Sequence, residues 1–238
     1  MRRIGFSTGA LALGDFVSAL RMLQGKRCDA VELSALRQAE LAPLIEAADA
    51  LDLHQFAAVS FHAPSKIDPH FEREAVELLS RVVQKKWIVV LHPDAITDFA
   101  LWAPFGPWLA LENMDKRKAI GRSAHEMMEL FERLPEASFC FDIGHARQVD
   151  PSMAEAGSIL SQFGGRLRLV HISEVNSQSK HDPLSLSALL AFKKVTHLIP
   201  DEATTIIESR VTEDQIEKEI EVVSDLLPSQ QQARLAGD

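Results

Sequence analysis

The stretch SFCFDIGHARQVDPSMAEAGSILSQFGGRLRLVHIS, residues 138–173, holds one full structural period of the chain. Ser138–Ile143 is an apolar run of strand length. Ser152–Phe163 carries apolar residues at helical spacing, and Leu167–Ser173 is again a strand-like run. A strand, a helix and a second strand in that order predict a βαβ unit with parallel strands.

The alternation extends both ways. Further strands are predicted at Arg3–Ser7, Ala30–Ser34, Ala57–His62, Trp87–His92, Leu109–Met114 and Thr204–Ser209, giving eight in all. Helices are predicted at Asp15–Gln24, Glu40–Leu51, Pro69–Gln84, Ala124–Arg133, Ser185–Phe192 and Glu213–Leu226, with Asp15, Ser123 and Thr212 as N-caps. Pro104, Gly106 and Pro107 cut short any helix over Thr97–Pro107. Dividing 238 residues by eight gives about 30 per unit, enough for one strand, one helix and two loops. The expected fold is therefore α/β, a single-domain (β/α)8 TIM barrel over residues 1–228, with a polar tail at 229–238. An open doubly wound sheet is the alternative. It needs a Gly-rich phosphate turn after the first strand, and Gly9 and Gly14 have the wrong spacing.

Bulk composition narrows the partners. The chain has 25 Lys+Arg against 34 Asp+Glu, a formal net charge of −9, which argues against a broad grip on nucleic-acid phosphates. There is no apolar run of membrane-spanning length. Arg2-Arg3 followed by Ala10-Leu11-Ala12 faintly mimics a secretory signal, but Ser7, Thr8 and Gly9 break it, and a first strand explains the residues better. Cys28 and Cys140 read as reduced thiols of a cytoplasmic protein.

Polar residues fall at strand ends. The third to eighth strands end with His62, His92, Glu112, Asp142, His171 and Glu208. Alternate residues of a strand share a face. If Glu112 points into the barrel, so do Ala110 and Trp108; if Asp142 does, so do Cys140 and Ser138. Ser60 and Val90 then lie beneath His62 and His92, while Leu109, Leu111, Phe139 and Phe141 face the helices. The six polar groups converge on the C-terminal mouth, where barrel active sites lie. Three carboxylates brought together need compensation, and a divalent cation is the simplest form of it. Glu112, Asp142, His171 and Glu208 make an oxygen-rich set suited to Mn2+, Mg2+, Co2+ or Zn2+. His62, His92, His145 and His181 nearby tilt the choice toward Zn2+ or a second metal. Glu32, near the end of the second strand, either reaches the mouth or pairs locally.

In order along the chain, His-Ala-Pro (62–64), Leu-His-Pro (91–93), Leu-Glu-Asn (111–113), Phe-Asp-Ile-Gly-His (141–145), Val-His-Ile-Ser (170–173) with His181, and Ile-Glu-Ser (207–209) resemble the xylose isomerase-like barrel superfamily. That group holds sugar isomerases and epimerases as well as endonuclease IV. The resemblance implies that Glu112, Asp142, His171 and Glu208 bind a shared metal, that two such glutamates act as acid and base, and that His145 contacts substrate. In the endonuclease branch, His62 and His92 would help bind a second metal, and His145 and His181 a third. The carboxylate expected two residues before the last of these is Ser179 here, and Ser173-Glu174 replaces the usual Asn-Asp. Both departures weigh against a trinuclear phosphodiesterase.

The expected activity is a metal-dependent isomerase or epimerase acting on a sugar, sugar acid or sugar phosphate. A metal that chelates a carbonyl and its neighbouring hydroxyl stabilises an enediolate. Glu112 and Glu208, on different strands, would move the proton. An endonuclease IV-like zinc phosphodiesterase and a non-catalytic ligand-binding barrel are the alternatives. Lys66, Arg117, Arg147, Lys180 and Arg210 follow strand ends and suit an anionic substrate. Trp102 is the expected substrate wall, whereas Trp87 and Trp108 read as core. His54, His70, His125 and His197 read as surface or packing residues, and Cys140 as a small core residue. The partners expected are a carbohydrate-like small molecule and, in a homo-oligomer, further copies of the chain.

Overall fold

The computed structural model describes residues 2–228; the polar tail lies outside the described residues. Eight parallel strands close into a barrel in chain order: β1 Ile4–Ser7, β2 Ala30–Ser34, β3 Ala58–His62, β4 Ile88–Leu91, β5 Leu109–Glu112, β6 Ser138–Asp142, β7 Leu167–Ile172 and β8 Thr204–Ile207, with β8 pairing back onto β1. Each strand coincides with a predicted one to within two residues at either end. A closed parallel sheet leaves no edge and needs helices on its outer face.

The strands are built for two environments. Ala30, Val90, Ala110, Cys140, Leu169 and Ile206 point inward and plug the barrel axis. Their neighbours, among them Val31, Leu33, Val89, Leu91, Leu109, Leu111, Phe139 and Phe141, face the helices and join the main core. The inner residues are mostly small because eight strands leave room for little more. At Gly5 in β1, a Cβ atom would lie 1.7 Å from the Ala30 carbonyl oxygen, so only glycine lets β1 approach β2 here.

The helices bury one stripe each. In Glu72–Gln84 the buried positions Ala75, Leu79 and Val82 recur at helical spacing. Asp15 and Ser123 cap their helices as expected, accepting from the Ser18 and Glu126 amides. Thr212 forms a capping box with Gln215. Three features escape the sequence pattern: the short helices Thr8–Ala12 and Ile143–Val149, and a two-stranded hairpin pairing Glu174–Val175 with His181–Asp182. Each follows a barrel strand at the C-terminal end and shapes the mouth.

Candidate active site at the barrel mouth

Register brings the polar strand ends together. Asp142 of β6 sits opposite His171 of β7, and Glu32 of β2 opposite Ser60 of β3. Asp142 also caps the helix that follows it: its Oδ1 accepts from the His145 amide at 2.7 Å. That leaves Oδ2 aimed at the cluster. Asn113 ties β5 to β6, because its side-chain amide donates to the Asp142 carbonyl and accepts from the Asp142 N–H, both at 2.8 Å.

Glu112 is the centre. Its Oε2 lies 3.2 Å from His62 Nε2 and 3.3 Å from His92 Nε2; its Oε1 lies 3.3 Å from His145 Nδ1 and 3.5 Å from His171 Nδ1. Glu208 approaches from β8, with Oε1 3.7 Å from His171 Nδ1 and Oε2 3.4 Å from His181 Nδ1. The hairpin delivers His181, whose Nδ1 is also 2.8 Å from Ser173 Oγ. Above this floor is a cavity of about 360 Å3, lined by His62, His92, Glu112, His145, His181 and Glu208, with Lys66, Arg117, Lys118 and Arg210 at its rim. Asp142 and His171 are fully buried beneath it.

The protonation pattern follows from burial and neighbours. Burial pushes Glu112 up, but the surrounding histidines, His171 foremost, hold it well below the usual carboxylate range. Burial pushes Glu208 above that range, and the Glu112 charge adds to the push. Burial, reinforced by Glu112 and Glu208, raises Asp142 to about 6. Burial opposes protonation of His62 and His145, yet the carboxylates beside them win and raise them to about 9 and about 10. His92 and His181 are driven by burial down to about 4.

One ligand atom from each of Glu112, Asp142, His171 and Glu208 lies within 4.8 Å of the others, and His62, His92 and Glu112 form a second such group. Asp142 Oδ2 and His171 Nδ1 are buried without a hydrogen-bond partner. Native proteins pair such atoms. An oxygen-rich set with one imidazole and two unsatisfied ligand atoms fits a divalent cation.

Solved structures share this architecture. Endonuclease IV from Thermus thermophilus is 18% identical, with a TM-score of 0.60 over 94% of this chain and 98% of that one. A xylose isomerase domain protein from Alicyclobacillus acidocaldarius is 14% identical, with a TM-score of 0.60 over 95% and 98%. A candidate sugar phosphate isomerase/epimerase from Anabaena variabilis is 14% identical, with a TM-score of 0.57 over 93% and 88%. The chain has the (β/α)8 barrel fold of these proteins. No family model and no curated protein sequence matches it.

Within this barrel, three expected substrate contacts are corrected. Trp102 is fully buried in the outer layer; its Nε1 donates to Glu72 Oε1 at 2.8 Å, and its ring meets Phe105 edge-on. A wide aromatic side chain with one donor finds its partner in the core here, not at the mouth. Arg147 does not line the cavity: it donates to Glu174 Oε1 and Ser187 Oγ at 2.9 Å each, bracing the hairpin. Lys180 is likewise absent from the lining. Lys118 pairs with Asp94 and Arg117 approaches Asp115, whereas Lys66 and Arg210 have no side-chain ionic partner among the described residues. Glu32 takes the local of its two expected placements, pairing below the cavity with Ser60 and His171. Asn113 is a site residue that the sequence reading misses; its signal is its place directly after Glu112 in Leu-Glu-Asn. Cys28 and Cys140 are both free and buried.

Proposed function

We propose that this protein is a divalent-metal-dependent sugar isomerase or epimerase, with Glu112 and Glu208 as its proton-transfer pair. The observation that carries this is a pair of carboxylates in one cavity whose proton affinities are shifted in opposite directions. Glu112 is held ionised by its histidines, and Glu208 is raised by burial. Titratable groups pushed apart in this way mark acid and base roles. Glu112, Asp142, His171 and Glu208 would hold the cation. When bound, it supplies Lewis acidity toward a carbonyl and the adjacent hydroxyl.

Glu112 is placed to accept a proton from the carbon beside a substrate carbonyl, and Glu208 to return one. His145, between Glu112 and Asp142, orients the substrate oxygens. Lys66 and Arg210 at the rim suit a carboxylate or phosphate on the substrate, in keeping with a sugar acid or sugar phosphate. The names of the xylose isomerase-domain and isomerase/epimerase neighbours agree with this reading. Zn2+ and Mn2+ suit the donor set best, with Mg2+ and Co2+ also accommodated. No helix among the described residues is long and apolar enough to cross a membrane. The free, buried Cys28 and Cys140 suit the reducing cytoplasm in which we place the enzyme.

The test is solvent exchange. Metal-loaded protein in deuterium oxide, given a panel of ketoses, sugar acids and sugar phosphates, should place deuterium on the carbon next to the carbonyl of its substrate. No exchange across the panel would sink the proposal. One observation favours a second reading, an endonuclease IV-like phosphodiesterase. His62, His92 and Glu112 form a second candidate group, and His92 Nδ1 is buried and unpartnered. Two or more zinc ions per chain, with cleavage of a phosphodiester, would select it.

A further inference from the structure

Glu32 presents an unexplained charge. It is fully buried and shares its face of β2 with Ala30, part of the apolar plug. It does not line the cavity. A carboxylate at that depth is costly unless every oxygen is matched. Its Oε2 accepts from Ser60 Oγ at 2.9 Å, and both its oxygens lie 3.2 Å from His171 Nε2. Oε1 has no hydrogen bond of its own. Packing alone would be served by a small apolar residue, as it is at Ala30 and Ala110.

The geometry points to Glu32 as a positioning residue that holds the Nε2–H of His171, so that the Nδ1 lone pair is presented to Glu112, Asp142 and Glu208. This rests on the reading that those residues bind a divalent cation. A neutral imidazole has one N–H and one lone pair, and the partner of one nitrogen decides the role of the other. Here Nδ1 is the buried nitrogen without a hydrogen bond, facing Glu112 Oε1 at 3.5 Å and Glu208 Oε1 at 3.7 Å. Ser60 completes the arrangement. Its hydroxyl fixes the carboxylate plane, and its register partner is Glu32 itself. Without Glu32, the ring is free to turn or to move its proton to Nδ1.

Zinc affinity, measured by chelator competition on the full chain, tests the assignment together with thermal melts of the metal-free protein. Glu32→Gln keeps the shape and loses the charge. It should weaken zinc binding by the folded protein by about 10- to 100-fold, and the metal-free protein should melt lower as well, because the charge facing His171 is lost. A purely structural residue would lower the melt and leave the zinc affinity of the folded protein unchanged. Should Glu32→Gln fail to fold, Ser60→Ala decides: it should weaken zinc binding about 3- to 10-fold, and unchanged affinity overturns the assignment. Nitrogen-15 NMR of the zinc-loaded protein should show the ion on His171 Nδ1 and a proton on Nε2; zinc on Nε2 overturns it. Equal zinc affinity in folded Glu32→Gln overturns this role alone. Wild-type protein that binds no divalent ion overturns both this role and the proposed function.

Discussion

Four imidazoles around Glu112 set how the protein answers to pH. His62 and His145 are raised from 6.5 to about 9 and about 10, and His171 is raised as well. A raised histidine contributes stability that is complete below pH 6.5 and lost as pH climbs through its folded value. Metal-free protein should therefore melt at falling temperature from pH 6.5 to about 10, a window set by those shifts. Bound cation takes over the neutralisation of Glu112, so the metal-loaded protein should show a flatter curve. Melts of chelator-treated protein that stay level or rise across this window would contradict the assignment of charges. At the rim, Lys66→Ala and Arg210→Ala each remove an unpaired cation from the cavity lining. Each should raise KM for an anionic substrate about 10-fold, with kcat little changed. Equal KM values for charged and uncharged sugars in the wild type would remove the anion from the substrate.

Connecting elements place these residues. Gly144 opens the helix after β6, where an added Cβ would sit 2.5 Å from the Ser173 carbonyl oxygen. Backbone cannot yield there as a flexible side chain would. Gly144→Ala should push the helix from the hairpin and displace Asp142 and His145 on either side of it. Zinc affinity should fall by at least about 10-fold, and a variant that binds zinc normally would show that the helix is free to shift. The β4–β5 connection is held differently. Glu72, fully within the core, accepts from the Thr97 and Asp98 amides at 2.7 and 3.0 Å and from Trp102 Nε1 at 2.8 Å. Trp102→Phe should cost about 1–3 kcal/mol in denaturant melts and leave KM alone. A raised KM with unchanged stability would return Trp102 to the substrate wall. The sequence favoured the wall because Trp102 lies in an irregular segment. Which partner its indole finds depends on Glu72, which lies one βα unit earlier in the chain and which no local pattern connects to it.

Across the molecule, what was legible followed from periodicity. Eight apolar runs with helices between them allow few closures, and parity then divides each strand into plug and outer layer without any tertiary knowledge. Polar residues at the same end of successive strands had to meet, so the convergence of Glu112, Asp142, His171 and Glu208 was readable. The hairpin at 174–182 was not, because its two-residue strands are too short to carry a pattern. Nor was the retreat of Arg147 to Glu174, which the hairpin creates. The net charge of −9 gains a local meaning too, since three of its carboxylates share one cavity floor. A cation bound only by the folded barrel must stabilise the whole chain by mass action. At about 100 times its dissociation constant it adds about 2.7 kcal/mol, which for a chain of this length is a rise of about 5–10 °C in Tm. Zn2+ or Mn2+ added to chelator-treated protein should produce that rise. Asp142→Asn keeps the helix cap through its remaining oxygen but removes the anionic ligand, and should lose most of it. Equal shifts in wild type and Asp142→Asn would mean that the ion binds elsewhere, and that the carboxylates at the mouth are balanced by their histidines alone.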